Sequence, residues 1–259
     1  MTEPASAGRG VALVTGGARR IGRAICISLA RAGYDVAVHH RDTADDADAL
    51  VAQLKGMGVR AARVSADLTR EGQVRELVPA AVRLLGPLTA LVNNASVFQD
   101  DRVGALERRC WDLHMETNLR APIVLTEAFA EQVPEGGGAV VNLLDQRVLK
   151  PDPRFFSYAL SRAGLWWATR TLAQGLAPRV RVNGVGPGPT LPSVHQTDEE
   201  FAAEAGATPL GLPASPERIA EAVRWLIVDA DRVTGQMIAV DSGQHLNWLT
   251  PDILDAEPR

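Results

Sequence analysis

The chain has 259 residues, 46% hydrophobic and 22% charged, enough to bury the core of one large α/β domain without calling for a second. Its formal net charge of -4 gives no basic footprint for a phosphate backbone or an anionic lipid surface, so neither nucleic acid nor membrane is an expected partner. Cys26 and Cys110, the two cysteines, show no CxxC or zinc-type spacing and read as small buried hydrophobes rather than a disulfide or metal framework.

In chain order, residues 1–9 ("MTEPASAGR") read as a flexible segment without the apolar stretch of a signal peptide, and no later apolar run reaches membrane-spanning length. The expected location is the cytoplasm. Short β-branched runs then alternate with longer amphipathic segments: strands at 11–15, 35–39, 59–65, 88–93, 138–144, 180–185 and 236–240, with helices at 21–32, 44–56, 71–85, 106–132, 155–176 and 216–228. Repeated right-handed crossovers of this kind build a parallel sheet covered by helices on both faces. The expectation is a single Rossmann-type, doubly wound α/β domain over 10–259 with about seven parallel strands. The Pro- and Gly-rich stretch 186–214 follows a strand and reads as a substrate loop.

"VALVTGGARRIGRAI" (11–25) sets an apolar strand directly before a glycine-bearing turn and a helix. In that context backbone N–H groups and a helix N-terminus can approach a pyrophosphate. Gly16 permits the tight turn, and Gly22 the close packing of helix on strand. Cofactor choice follows from charge: a ribose 2′-phosphate needs cations, and "HHRD" (39–42) supplies His40 and Arg41 near the end of the second strand, with Arg19 in the first turn. NADP(H) is therefore expected over NAD(H), although another register would bring Asp42 to the ribose.

The pattern Thr15-Gly16-x-x-x-Arg20-x-Gly22 resembles the short-chain dehydrogenase/reductase family, whose usual TGxxxGxG here has Arg20 at the middle glycine. Ordered matches continue through Asp67, "NNA" (93–95), Asn118, Tyr158 and "GPGPT" (186–190). The resemblance implies cofactor contacts from Gly16, Arg19, Arg20, Ile21 and Gly22 after the first strand, His40 and Arg41 after the second, and Asp67 and Leu68 after the third. It adds Asn94, Ala95 and Ser96 after the fourth, then Tyr158 and Arg162, and finally Pro187, Gly188 and Thr190.

Tyr158 and Arg162 lie four apart in a helical pattern and share a face. Asp145 precedes Tyr158 by thirteen residues, at an offset where the family usually has serine, and Arg162 stands where it has lysine. The implied catalytic set is Asp145, Tyr158 and Arg162, supported by Asn118. Aspartate at the serine position, Arg20 at the middle glycine, and "NNASVF" with Phe98 resemble the pteridine reductase branch. A flat pterin would then stack on Phe98, with Arg20, Ser96, Asp145 and Tyr158 as its other contacts. The reaction implied is hydride transfer to a C=N bond of a dihydropterin. Arg162 keeps the positive charge that lowers the tyrosine's proton affinity, but a guanidinium does not release a proton.

Two other readings share these residues: a carbonyl or 3-oxoacyl-thioester reductase, and a cofactor-binding regulator with impaired catalysis. His39, His40, His114, His195 and His245 lack metal spacing and read as satisfying local hydrogen bonds. Trp166 and Trp167 read as core or subunit interface, and "VDSGQHLNW" (240–248) resembles the family's last strand and tail, so a homo-oligomer, dimer or tetramer, is the expected assembly.

Overall fold

The computed structural model describes residues 9–192 and 196–247. Residues 1–8, His195 and the tail from Trp248 lie outside the described residues. Seven strands form one sheet: β1 (Gly10–Val14), β2 (Tyr34–His40), β3 (Ala61–Ser65), β4 (Ala90–Asn93), β5 (Gly138–Leu143), β6 (Val180–Pro187) and β7 (Met237–Val240). Their order is β3-β2-β1-β4-β5-β6-β7, and every neighbouring pair is parallel. The helices are α1 (Arg20–Arg31), α2 (Ala44–Gly56), α3 (Glu71–Leu85), α4 (Arg108–His114), α5 (Ala121–Gln132), α6 (Phe156–Leu176), α7 (Asp198–Gly206) and α8 (Pro216–Val228).

A parallel sheet is covered on both faces, so its strands read as nearly continuous apolar runs. β1 shows the division. Ala12 and Val14 join a core with Ile25 and Leu29 of α1 and Val223 of α8, while Val11 and Leu13 join a second core with Leu77 of α3 and Phe129 of α5. The period of two along the strand thus sends alternate side chains to opposite layers. The order in which strands are added changes side between β1 and β4, which pair in parallel at Ala12↔Ala90 through Val14↔Val92. That switch point opens a crevice beyond the strand ends, where open α/β sheets bind ligands.

Two segments differ from the expected pattern. The helix expected over 106–132 begins at Arg108 and widens into a π-helical stretch at Met115–Arg120 before continuing as α5. Pro122 has no N–H to give Asn118 O four residues back, and Ala121 N–H bonds Glu116 O five back. The loop expected over 186–214 contains α7, started by a capping box in which Thr197 and Glu200 satisfy each other's backbone N–H groups. Thr-x-x-Glu was the sequence signal for it.

Arg181 of β6 ties the sheet to the end of α8. Its guanidinium donates to Leu226 O (2.7 Å) and Ile227 O (3.0 Å), carbonyls that the helix C-terminus otherwise leaves unpaired, and to Ala230 O (2.9 Å) just beyond the helix. Replacing it in Arg181→Met removes three charge-assisted bonds, and urea unfolding is expected to show a loss of about 3 kcal/mol.

Candidate active site

The crevice is assembled from the β1 and β4 ends. Thr15 Oγ accepts from the N–H groups of Asn94 (2.9 Å) and Ala95 (3.0 Å) and donates to Val92 O (3.3 Å). Asn94 Nδ2 returns bonds to Thr15 O (2.8 Å) and Gly16 O (3.1 Å). Gly16 turns with φ +61, and a Cβ on Gly22 would sit 2.1 Å from Gly16 O, so only glycine lets α1 begin this close to the turn. No side chain caps the N-terminus of α1, which leaves its first-turn N–H groups to a ligand.

His39 fixes this turn from beneath. Its Nδ1 accepts from Gly16 N–H (3.0 Å), its Nε2 donates to Ala66 O (3.0 Å), and its own carbonyl accepts from Gly17 N–H (2.8 Å). Burial lowers its pKa to about 4, so the ring is neutral, as the Gly16 bond requires.

The residues expected to hold a cofactor at the first four strand ends all line one cleft of about 430 Å³: Gly16, Arg19, Arg20, Ile21 and Gly22; His40 and Arg41; Asp67 and Leu68; Asn94, Ala95 and Ser96. Arg19 pairs with Asp46 and Arg41 with Asp42, which occupies that carboxylate at the second strand end. Asp67 closes a turn by accepting from Thr69 N–H (3.0 Å) and Oγ (2.7 Å), bonds that hold its carboxyl below the usual range. His40 Nδ1 and Thr117 Oγ are buried without a partner among the described residues. His39 and Thr117 line the cleft without having been expected there. In sequence, a buried histidine looks like any other.

A second cavity, of about 750 Å³, shares Arg20, Ile21, Asn94 and Ser96 with the first. It contains the expected Phe98, Asp145, Tyr158, Arg162, Pro187, Gly188 and Thr190. Tyr158 Oη donates to Asp145 Oδ2 at 2.8 Å. Asp145 also accepts from Arg147 N–H (2.8 Å), which starts the 3₁₀ turn after β5, and faces the Arg147 guanidinium at 3.4 Å. Arg162 is only 2% exposed, donates to Leu143 O (2.9 Å), and sets its guanidinium carbon 5.4 Å from the Tyr158 ring centroid.

Burial first, and then the Asp145 carboxylate, push the Tyr158 hydroxyl well above its ordinary pKa; the Arg162 charge opposes them and is outweighed. The expected lowering of the tyrosine's proton affinity is thus present as a force but not as the outcome. Tyr158 is a phenol at neutral pH.

Phe98 does not stand alone as a stacking platform. Its ring stacks on Phe155 (centroids 4.1 Å, 21°) and meets Tyr158 edge-on (4.7 Å, 82°), while Arg147 lies 5.8 Å and 5.7 Å from the Phe98 and Phe155 centroids. Phe155 adopts φ 53, a left-handed conformation that sequence does not announce for an aromatic residue. Ser96 lines both cavities, and its hydroxyl donates weakly to Val97 O (3.4 Å). Asn118 is buried behind the site and lines neither cavity: its amide exchanges bonds with Val97 N–H (2.9 Å) and Val97 O (2.9 Å) and reaches Ser161 Oγ (3.3 Å). Trp167 is 67% exposed on α6.

A switch-point cleft opening into a tyrosine-bearing cavity on this sheet order defines a dinucleotide-dependent oxidoreductase of the Rossmann type. A family model described as enoyl-(acyl carrier protein) reductase matches residues 16–245, and the chain belongs to the short-chain dehydrogenase/reductase family. Among curated relatives, a 3-oxoacyl-[acyl-carrier-protein] reductase FabG of Staphylococcus epidermidis is 31% identical over 91% of this chain and 98% of its own. Among solved structures, FolM alternative dihydrofolate reductase 1 of Brucella canis, complexed with NADP, is 46% identical with a TM-score of 0.90 over 95% of this chain and 98% of that one. The Brucella suis counterpart, also with NADP, is 48% identical at the same TM-score over 94% and 98%.

The His39 clamp has a pH signature. Its folded pKa of about 4 lies below the ordinary 6.5, so its stabilising contribution is complete above pH 6.5 and is lost as pH falls towards 4. Urea unfolding is expected to lose roughly 3 kcal/mol over that window, and the His39→Gln variant, though less stable, should lose that part of the pH dependence.

Proposed function

We propose that the chain is an NADPH-dependent reductase acting on the C=N bond of a dihydropterin, dihydrofolate included. The observation that carries this reading is the bond from Tyr158 to Asp145, a carboxylate where a carbonyl reductase of the family has a serine. The likeness of the whole chain, at 46% and 48% identity, to two proteins named as dihydrofolate reductases supports it.

NADP(H) is the cofactor: three similar solved structures contain NADP or NADPH, and the residues here fit it. The tight Gly16–Gly22 approach and the uncapped α1 N-terminus suit a pyrophosphate, and Arg19 and Arg41 suit a ribose phosphate. The unpartnered His40 Nδ1 and Arg162 Nε are polar atoms for it to satisfy. When bound, it supplies the hydride.

Reducing C=N also needs a proton on nitrogen. Tyr158 alone is a reluctant donor, because releasing its proton would leave a buried phenolate beside the Asp145 carboxylate. The two groups therefore act as a unit. Asp145, at the cavity wall, takes a proton from water, the hydrogen bond reverses, and Tyr158 passes its own proton to the substrate nitrogen. Arg162 holds charge and ribose without relaying. The Phe98–Phe155 pair walls the cavity with aromatic surface suited to a planar ring. Exposed Leu160 and Trp167 leave α6 with apolar surface of the kind a homo-oligomer covers. Among the described residues, no helix is long and apolar enough to cross a membrane; the reading places the enzyme in the cytoplasm.

The relatives named as 3-oxoacyl reductases favour a second reading, in which Asp145 merely replaces serine and a flexible oxoester is reduced. NADPH oxidation assayed with dihydrobiopterin, dihydrofolate and an acetoacetyl thioester separates them. The pterin reading expects turnover of the first two, a loss of about 10²-fold or more in Asp145→Ala, and unchanged or raised turnover in Arg162→Lys. Unchanged pterin turnover in Asp145→Ala, or turnover of the thioester alone, would sink it.

A further inference from the structure

Asp101, His114 and Ser157 are buried; of the three, the sequence singled out only His114, as a residue that satisfies local hydrogen bonds. Gln99 N–H donates to His114 Nε2 (3.1 Å); His114 Nδ1 meets Ser157 Oγ at 2.7 Å; and Ser157 Oγ donates to Asp101 Oδ2. Chemistry fixes the direction of this chain. A backbone N–H only donates, so Nε2 must accept and the imidazole proton sits on Nδ1. It donates to Ser157 Oγ, whose own proton goes to a carboxylate that only accepts. Asp101 also accepts from Ser157 N–H (3.1 Å), so it caps α6, whose N-cap residue Phe155 provides no capping bond.

Two other uses of the cluster fail. In a nucleophilic triad the histidine stands between serine and carboxylate, whereas here the serine is central and inaccessible. Cys110, four residues before His114, brings its sulfur within 4.8 Å of His114 and Asp101 ligand atoms, as a metal site would. Yet both His114 nitrogens and both Asp101 oxygens already have partners, and burial pushes the Cys110 thiol away from the thiolate a metal needs.

What the chain does is join parts of the site. His114 and Asn118 are one turn apart, and each reaches in two directions. His114 links Gln99 to Ser157, and Asn118 links Val97 to Ser161, whose hydroxyl donates to Tyr158 O (2.7 Å). The two rungs flank Phe98 on one side and Tyr158 on the other. The His114 ring also meets the Tyr158 ring edge-on at 5.9 Å.

We propose that Asp101, Ser157 and His114 form a one-way hydrogen-bond chain that, as a second rung beside Asn118, positions Phe98 and Tyr158 against each other for the reaction. None of the three is a catalytic residue, since none lines the cavity; they act through the two that do. The proposal depends on the reductase reading only through its kinetic readout.

The test uses Ser157→Ala, which breaks the rung; Asp101→Asn, whose amide forces donor against donor; and Ser157→Thr, which keeps the hydroxyl. NADPH binding, followed by fluorescence, and the thermal midpoint identify any variant that fails to fold. The NMR signal of Cζ-labelled Tyr158, read in a Tyr34→Phe background because the chain has two tyrosines, reports its hydrogen bond without any substrate. Both disruptive variants are expected to shift that signal, to keep NADPH affinity within about twofold, and to lose roughly 10- to 100-fold in kcat with a smaller change in KM. Ser157→Thr should restore most of kcat. Folded Ser157→Ala and Asp101→Asn proteins with the wild-type Tyr158 signal would overturn the proposal. Absence of pterin turnover in the wild type would instead refute the function, leaving the Tyr158 signal to judge the rung.

Discussion

The hydrogen bond between Tyr158 and Asp145 binds α6 to the turn after β5, and the site's charges are arranged around it. Tyr158 touches both signs: its hydroxyl faces the Asp145 carboxylate, and its ring lies beside the buried guanidinium of Arg162. A permanent charge that is 2% exposed needs compensation close by. A serine at 145 would provide none. Arginine in place of lysine leaves that charge unchanged, so aspartate in place of serine is the departure that alters the pocket's electrostatics: it adds a carboxylate that faces the Tyr158 hydroxyl and the Arg147 guanidinium.

Much of this was legible in the sequence, because apolar periodicity and glycine placement report backbone facts. The strands and helices fall within a few residues of expectation, and every residue expected to contact cofactor lines one of the two joined cavities. What escaped depended on long-range partners. Nothing local says that His39 accepts from Gly16 or that His114 accepts from Gln99. The partner of Phe98 was hidden for another reason: Phe155 stacks on it only by taking a left-handed backbone conformation. Asn118 was visible as a family position, but its buried place behind the site, bridging Val97 and Ser161, depends on partners 21 and 43 residues away in the chain.

The same contrast explains Arg20. The family's glycine at this position suits a left-handed turn, and Arg20 keeps that turn, with φ 50, despite its side chain. The strain, of order 1 kcal/mol or more, persists only where surrounding structure holds the residue there. Here the holding contacts are visible: the guanidinium donates to Leu191 O (3.3 Å) and Pro192 O (3.0 Å), in the segment after β6. A glycine could make neither bond. Arg20 thus begins α1 over the cofactor cleft while its side chain grips the wall of the neighbouring cavity, so a ligand that pulls the guanidinium towards itself must release that wall. In this chain the turn after β1 is thus joined by side-chain hydrogen bonds to the segment after β6 that walls the second cavity.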